Sequence, residues 1–214
     1  MPDFIRARRE GQKEQRLQEI KAATQALFEE LPYHAITLTV IANRLGCSRA
    51  QLYQYITTKE EIFLLLCEDK RRAYFAALQA AFPADCGYTP EVFAAVWAGL
   101  LNAHQDFLKY SSLLPIVIET NVSVERLAGF KQAYYTEVED VLRLLETQLG
   151  LSAQKAQALY DDVYYHAVGL GSSCWDNPLI RQALEMLGRK PEDLGFRQRI
   201  RQFIEMCLQY YCGR

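Results

Sequence analysis

Apolar residues recur every three or four positions along most of this chain, a period that is typical of amphipathic α-helices. No segment alternates apolar and polar residues over enough positions to predict a β-strand. The fold class that this pattern predicts is all-α. The expected helices cover residues 14–31, 37–45, 48–56, 58–82, 90–108, 123–149, 152–174, 179–187 and 192–211, with a short or kinked helix around Pro115.

Two short helices joined by a tight turn are predicted between Thr37 and Ile56. Thr37 is a suitable N-cap for the first of them, and Gly46 stands where a left-handed C-terminal cap is needed. Ser48 and Gln51 have the spacing of a capping box, which starts the second helix. This arrangement, with a polar second helix, is typical of a DNA-reading helix-turn-helix.

The motif continues in register from Thr37 to Phe63, where the chain reads T-L-x-x-I-A-x-x-L-G-C-S-x-A-x-L-Y-x-Y-I-x-x-K-E-x-I-F. With its caps, turn glycine, tyrosines and lysine, this segment resembles the TetR-type transcriptional regulators. The resemblance implies a three-helix DNA-binding head at residues 14–74, with the helix-turn-helix at about 37–56. It also implies a long helix that joins the head to a helical-bundle body at 75–214, which dimerises and binds an effector.

The charge of the chain is distributed unevenly. Residues 1–59 contain nine Lys and Arg against six Asp and Glu, a net charge of +3, whereas residues 60–214 contain fifteen against twenty, a net charge of −5. The whole chain therefore has a net charge of −2, although its first part is basic. A basic head on an acidic body fits a DNA-binding protein whose larger part has another task.

Base-reading side chains are expected on the face of the second motif helix that points away from Leu52. Arg49, Ala50, Gln51 and Gln54 lie on that face; Gln51 also has a role in the capping box, so Arg49 and Gln54 are the stronger candidates. Arginine can bind guanine with two hydrogen bonds, and glutamine can bind adenine in the same way. The resemblance places a further set of side chains against phosphates: Thr37, Ser48, Tyr53, Tyr55 and Lys59.

Each of these residues also has an ordinary structural interpretation. Thr37 and Ser48 would cap helices in any protein, Tyr55 could belong to the core, and Lys59 could be a solvated charge. The DNA-binding hypothesis therefore depends on the set being in register. The basic residues near the N-terminus are interpreted either as a flexible arm along the DNA or as a disordered tail: Arg6, Arg8, Arg9, Lys13 and Arg16.

The body is expected to form a homodimer through helices 152–174 and 192–211, because both carry more apolar surface than one core needs. By resemblance, the chain is expected to be a repressor that binds a palindromic operator and responds to an unknown small-molecule effector. Aromatic and polar residues of the body could line an effector site, although aromatic residues at helical spacing more often belong to a core. The candidates are Phe93, Trp97, His104, Glu119, Tyr134, Tyr164, His166 and Trp175.

The sequence leaves two other classes of function open. A helical enzyme could use His104, His166, Glu119 or Asp161, but no G-x-S-x-G sequence or Gly-rich phosphate loop supports an enzyme. A helical protein-interaction module without DNA binding is the other alternative. Scattered histidines and six single cysteines predict no metal site and no cofactor, and the absence of a signal peptide or apolar span predicts a cytoplasmic protein without a membrane partner.

Overall fold

The computed structural model describes residues 2–83, 86–175, 177–190 and 194–213, of which residues 2–9 are described by their backbone only. Within these ranges the chain is all-α, and no β-strand is present. The α-helices are α1 Pro2–Glu30, α2 Leu38–Arg44, α3 Arg49–Leu52, α4 Lys59–Ala81, α5 Pro90–Ala103, α6 Gln105–Leu113, α7 Val124–Leu149, α8 Ala153–Cys174, α9 Pro178–Met186 and α10 Phe196–Cys212. A 3-10 turn, Tyr33–Ala35, precedes α2, and a π-turn, Leu114–Ile118, follows α6.

The chain divides into two compact units. Unit 1 consists of residues 1–69 and 113–131, and unit 2 consists of residues 70–112 and 132–214. No helix among the described residues is both long enough and apolar enough to span a membrane.

Unit 1 is built on a small apolar core. Ile20 of α1, Ile36 and Ile41 near α2, and Leu52 of α3 are almost completely buried. Phe63 of α4 completes the core by edge-to-face contacts between aromatic rings, with centroid distances of 5.1 Å to Phe28 and 4.9 Å to Tyr33. This core fixes α2 and α3 on the start of α4.

Unit 2 is a larger bundle in which α10 packs against α5 and α8. Trp97 of α5 and Tyr74 of α4 are both buried, and the indole Nε1 donates a 2.8 Å hydrogen bond to the tyrosine oxygen. Phe82 and Phe93 stack with their ring centroids 4.2 Å apart. Hydroxyl side chains cap two helices of this unit, since Thr89 accepts from Val92 N at α5 and Ser152 accepts from Lys155 N at α8.

Three helix predictions were wrong in their bounds. The α1 backbone begins at Pro2 rather than residue 14, so the flexible arm or disordered tail is helical, because Arg, Glu, Gln and Ala are good helix formers that extend an existing helix. The helix predicted at 90–108 is interrupted at His104, which has φ −112° and ψ 37°. The second motif helix ends at Leu52, and a tight turn follows.

The bounds of the other helices agree with those predicted from the sequence to within a residue or two, except at the start of α10. The kink expected near Pro115 is the π-turn, in which Glu119 N donates to Leu114 O at 2.9 Å. The predicted start of the last helix, Glu192, lies outside the described residues, and the described helix starts at Phe196.

Candidate nucleic-acid interface

The turn between α2 and α3 is fixed by backbone hydrogen bonds. Gly46 has φ +62°, its N–H donates to Asn43 O, and the N–H of Cys47 donates to Ala42 O. These bonds form a Schellman motif, in which the left-handed position favours glycine because glycine has no Cβ. The predicted role of Gly46 as a C-terminal cap is confirmed.

The N-termini of both motif helices are capped as the sequence predicts. The Thr37 side chain accepts from Val40 N at 3.2 Å. Ser48 Oγ accepts from Gln51 N at 3.3 Å, while Gln51 Oε1 accepts from Ser48 N at 2.8 Å. The side chain of Gln51 is therefore engaged with the cap, as its competing role suggested.

The cap at the start of α4 has only one of the two hydrogen bonds of a capping box. Thr58 Oγ1 accepts from Glu61 N at 3.3 Å, as expected for a capping box. The Glu61 carboxylate, however, accepts from Thr57, at 2.9 Å from the backbone N and 2.6 Å from Oγ1. The carboxylate therefore ties down the residue before the cap.

The outer face of α3 is exposed while its inner face is anchored. Leu52 and the following Ile56 are almost fully buried, whereas the four predicted base-reading residues are all exposed. Those four residues are Arg49, Ala50, Gln51 and Gln54. Gln54 lies in the tight turn after α3, where Gln54 N donates to Gln51 O at 3.3 Å. Its side chain therefore leaves the backbone in a different direction from the one it would have in a continuous α-helix.

Arg49 and Tyr53 form a pair along the surface of this segment. Arg49 Nη2 donates to the Tyr53 hydroxyl at 2.7 Å, and the guanidinium carbon lies 5.6 Å from the centroid of the Tyr53 ring. The tyrosine therefore orients one edge of the guanidinium. Tyr55, the other tyrosine of the motif, is half-buried.

Lys59 connects the start of α4 to the turn before α2. Its Nζ donates to Ile36 O at 2.8 Å and to Tyr33 O at 3.0 Å, and it lies 3.9 Å from the centroid of the Tyr33 ring. Partial burial lowers the pKa of Lys59. An ammonium group has three N–H donors, so two hydrogen bonds to carbonyl groups leave one donor for a phosphate.

Lys59 also lines a shallow surface depression of unit 1 together with Thr37 and Arg49. The structure thus brings one predicted base-reading residue and two predicted phosphate-contacting residues to the same surface. The bonds of Lys59 to the backbone were not evident from the sequence, because they depend on how the 3-10 turn folds back.

The predicted effector residues do not form one group. Glu119 lies in unit 1, where its carboxylate accepts from Lys131 at 2.6 Å. The other seven lie in unit 2. Of these, Phe93 and Trp97 belong to the core with ring centroids 6.0 Å apart, and His104 ends α5 with its ring 5.8 Å from that of Tyr74.

Tyr134 and Tyr164 lie beside polar groups that sequence reasoning missed. Tyr164 stacks on Tyr160 with ring centroids 6.0 Å apart, and the Arg71 guanidinium lies 5.7 Å from the Tyr134 ring. Burial raises the pKa of Tyr134 to about 12. The Tyr160 hydroxyl is buried and has no hydrogen-bond partner among the described residues.

A signal for one of these groups was present in the sequence. Arg71 precedes Phe75 by four positions and Leu78 by seven, so it lies on the core-facing stripe of α4. The structure buries it there, and its Nε donates to the Glu137 carboxylate at 2.8 Å.

The last two predicted effector residues have different surroundings. The ring of His166 stacks on that of Phe203 with the centroids 3.7 Å apart. Trp175 Nε1 is buried and has no hydrogen-bond partner among the described residues.

The capped α2–turn–α3 unit with its exposed polar face defines a helix-turn-helix DNA-binding protein. Residues 20–66 match the family model described as bacterial regulatory proteins, tetR family. Residues 68–209, about two-thirds of the chain, match the model described as tetracyclin repressor-like, C-terminal domain. The chain therefore belongs to the TetR family of transcriptional regulators. A comparison with curated proteins finds no match.

Proposed function

We propose that this regulator is a repressor that binds a palindromic operator as a homodimer and releases it in response to a small-molecule effector. The observation that carries the proposal is the exposed polar face of α3 on a motif whose turn and caps are fixed by hydrogen bonds. A rigid frame with exposed polar side chains suits insertion into the major groove.

In this proposal the residues of the motif have separate tasks. Arg49 and Gln54 read base edges, with Ala50 and Gln51 beside them in the groove. The remaining residues contact phosphates and position the head without choosing a sequence. They are Thr37, Ser48, Tyr53, Tyr55 and Lys59.

Support for a homodimer comes from apolar side chains that unit 2 leaves in solvent. Tyr165 of α8 is 69% exposed, and Met206 and Tyr210 of α10 are 63% and 79% exposed. Apolar side chains on two neighbouring helices suit a four-helix interface about a two-fold axis. Two heads related by such an axis would bind two half-sites of inverted sequence.

Support for an effector site comes from the polar groups in unit 2. Tyr134 lies next to the buried guanidinium of Arg71. Tyr164 lies next to Tyr160, whose buried hydroxyl has no hydrogen-bond partner among the described residues. These two tyrosines remain the candidates for contact with an effector. Buried polar groups of this kind orient a ligand inside a mainly aromatic site. An effector that binds there would shift the equilibrium between conformations with different operator affinities.

The experiment is selection of bound sequences from a random duplex pool by the full chain. We expect an inverted repeat whose half-sites are separated by about one helical turn or a multiple of it. The double variant Arg49→Ala, Gln54→Ala is the control and should recover no such repeat. Recovery of unrelated sequences by both proteins would contradict the proposal and favour an interaction module. A reporter gene downstream of the selected site then distinguishes repression from activation.

A further inference from the structure

Unit 1 contains a cavity beside the DNA-binding motif that the proposed function does not use. Its volume is about 360 Å³, within the range of small-molecule sites, and it is partly open to solvent. It is formed by α1, by the segment after α3, by the first turns of α4 and by the start of α7. The lining residues that matter here are Leu17, Ile56, Glu61, Leu64, Gly129 and Phe130.

The inner wall of the cavity is mainly apolar. Ile56 and Leu64 are buried, and Phe130 presents an aromatic ring from α7. An apolar ligand body would gain about 25 cal/mol for each Å² of surface that such a wall removes from water.

One carboxylate of the wall is buried and has no ion-pair partner among the described residues. Glu61 is 6% exposed, and its two oxygens accept only from Thr57 N and Thr57 Oγ1 among the described residues. A carboxylate can accept about four hydrogen bonds, so it has further acceptor positions. A buried negative charge is costly unless a positive charge compensates it, so the site favours a cation.

The charged residues of the lining, taken together, have the same sign. Glu61, Glu68 and Glu125 are three carboxylates against two cations, Lys13 and Arg126, so the net charge is −1. Hydrogen bonds at the N-terminus of α7, to its own backbone N–H and to Ser123, lower the pKa of Glu125, which keeps it ionised at neutral pH.

From this geometry we infer a binding site for a small hydrophobic ammonium compound. Its apolar body lies between Leu17, Ile56 and Phe130, and its ammonium group approaches the Glu61 carboxylate. Aromatic rings at the cavity, such as Phe130, also favour a cation near their faces.

Binding at this site also affects the operator complex, a step that rests on the proposed function. Tyr55 and Ile56 lie three and four residues after the end of α3, the base-reading helix, and line the cavity. A ligand that contacts them and α7 restrains the segment that follows α3. We therefore expect the ammonium compound to change operator affinity, whereas its binding to the protein alone does not depend on any operator.

The test compares three probes that share a phenyl ring and a four-carbon chain: 4-phenylbutylamine, 4-phenylbutanol and 4-phenylbutyrate. Their affinities for the full chain are measured by titration calorimetry without DNA. The amine should bind at least tenfold more tightly than the alcohol, and the butyrate most weakly. Equal affinities of amine and alcohol would overturn the inference, whatever the DNA experiments show.

Two variants locate the site. Gly129 lies in α7, and a Cβ there meets no atom within 4 Å, so Gly129→Phe fills the cavity without a backbone clash and should abolish amine binding. Gly11→Phe, at an equally open helical glycine of α1 outside the cavity lining, is the matched control and should leave binding unchanged. Glu61→Gln should reduce the amine preference over the alcohol to less than threefold. If Gly129→Phe binds the amine like the wild type, the cavity is not the site, and this result stands even if Glu61→Gln fails to fold.

Discussion

Arg49 is the side chain whose contacts in the structure bear most directly on the preference for one DNA sequence over another. Tyr53 holds one edge of its guanidinium, so the arginine loses less conformational freedom when it binds a guanine. We expect Arg49→Ala to reduce the preference for operator over random duplex by about 1–3 kcal/mol, or roughly 5- to 150-fold. Fluorescence anisotropy with both duplexes measures this ratio.

The matched control for this substitution is Arg143→Ala. Arg143 is an exposed arginine of α7 that pairs with Glu139 at 3.2 Å in unit 2. It should change neither affinity by more than the experimental error. If Arg49→Ala keeps the wild-type preference, the assignment of α3 as the base-reading helix is wrong.

Lys59 has a structural task in addition to its expected phosphate contact. Lys59→Ala removes hydrogen bonds to two carbonyl groups, and we expect the free energy of unfolding to fall by about 1–3 kcal/mol. Affinity for operator and random duplex should fall by the same factor, and the slope of log affinity against log salt should decrease by about 1.

Lys155 offers a comparison for that experiment. Its Nζ also donates to a backbone carbonyl group, Tyr211 O at 3.2 Å, but it lies in unit 2. Lys155→Ala should leave the salt dependence of DNA binding unchanged. A Lys59→Ala variant that loses stability but keeps the wild-type salt slope would show that Lys59 does not contact a phosphate.

Two buried tyrosines of unit 2 should respond oppositely to loss of the hydroxyl. Tyr160→Phe removes a buried polar group that has no partner among the described residues, so the free energy of unfolding should rise by about 1 kcal/mol or more. Tyr74→Phe leaves Trp97 Nε1 without its acceptor and should lower that free energy by about 1–3 kcal/mol. Urea unfolding measures the free energy of unfolding of both variants. Changes of the same sign in the two variants would contradict the prediction.

At the scale of elements, the turn glycine controls the angle between α2 and α3. Gly46→Ala keeps every contact, because a Cβ there meets nothing within 4 Å, yet it places a methyl group on a residue with φ +62°. We expect a loss of about 1 kcal/mol or more in the free energy of unfolding, and weaker DNA binding.

Gly129→Ala is the control for this prediction. Gly129 lies in the interior of α7, also with open space around its Cβ position, but without a positive φ. There the substitution should stabilise the protein by about 0.5–1 kcal/mol, because alanine favours a helix more than glycine does. Thermal unfolding that gives the same sign for both variants would exclude backbone strain at Gly46 as the cause.

The helices of this chain were predictable wherever local signals ended them. Thr37, Ser48 and Thr89 cap helices in the structure as their spacing indicates. The break at His104 was missed because apolar residues continue on both sides, although the six-residue step from Leu101 to Phe107 does not fit one helical stripe.

The predicted site was less accessible to sequence reasoning than the helices were. Cap residues and exposed positions follow from local spacing, and these place Arg49 and Gln51 correctly on the surface. The contact of Lys59 with two backbone carbonyl groups depends instead on long-range folding of the turn before α2. Local patterns do not contain such contacts.

At the scale of the whole molecule, the regulator is expected to bind DNA as two copies. Several apolar side chains of unit 2 are exposed to solvent. Among those described on α8 and α10 are Tyr165 and Tyr210, which are large enough to anchor an interface. A stable dimer buries about 800 Å² on each partner, so two charges introduced at its centre should prevent association.

The double variant Tyr165→Glu, Tyr210→Glu should therefore sediment at the chain mass of 24.6 kDa at micromolar concentration, where the wild type sediments at twice that mass. Its operator affinity should fall by about 100-fold or more, because each head then binds its half-site without the linked partner. Ile116→Glu is the control, since Ile116 is 75% exposed but lies in unit 1. A wild-type chain that sediments as a monomer, or a double variant that remains dimeric, would show that α8 and α10 do not form the interface.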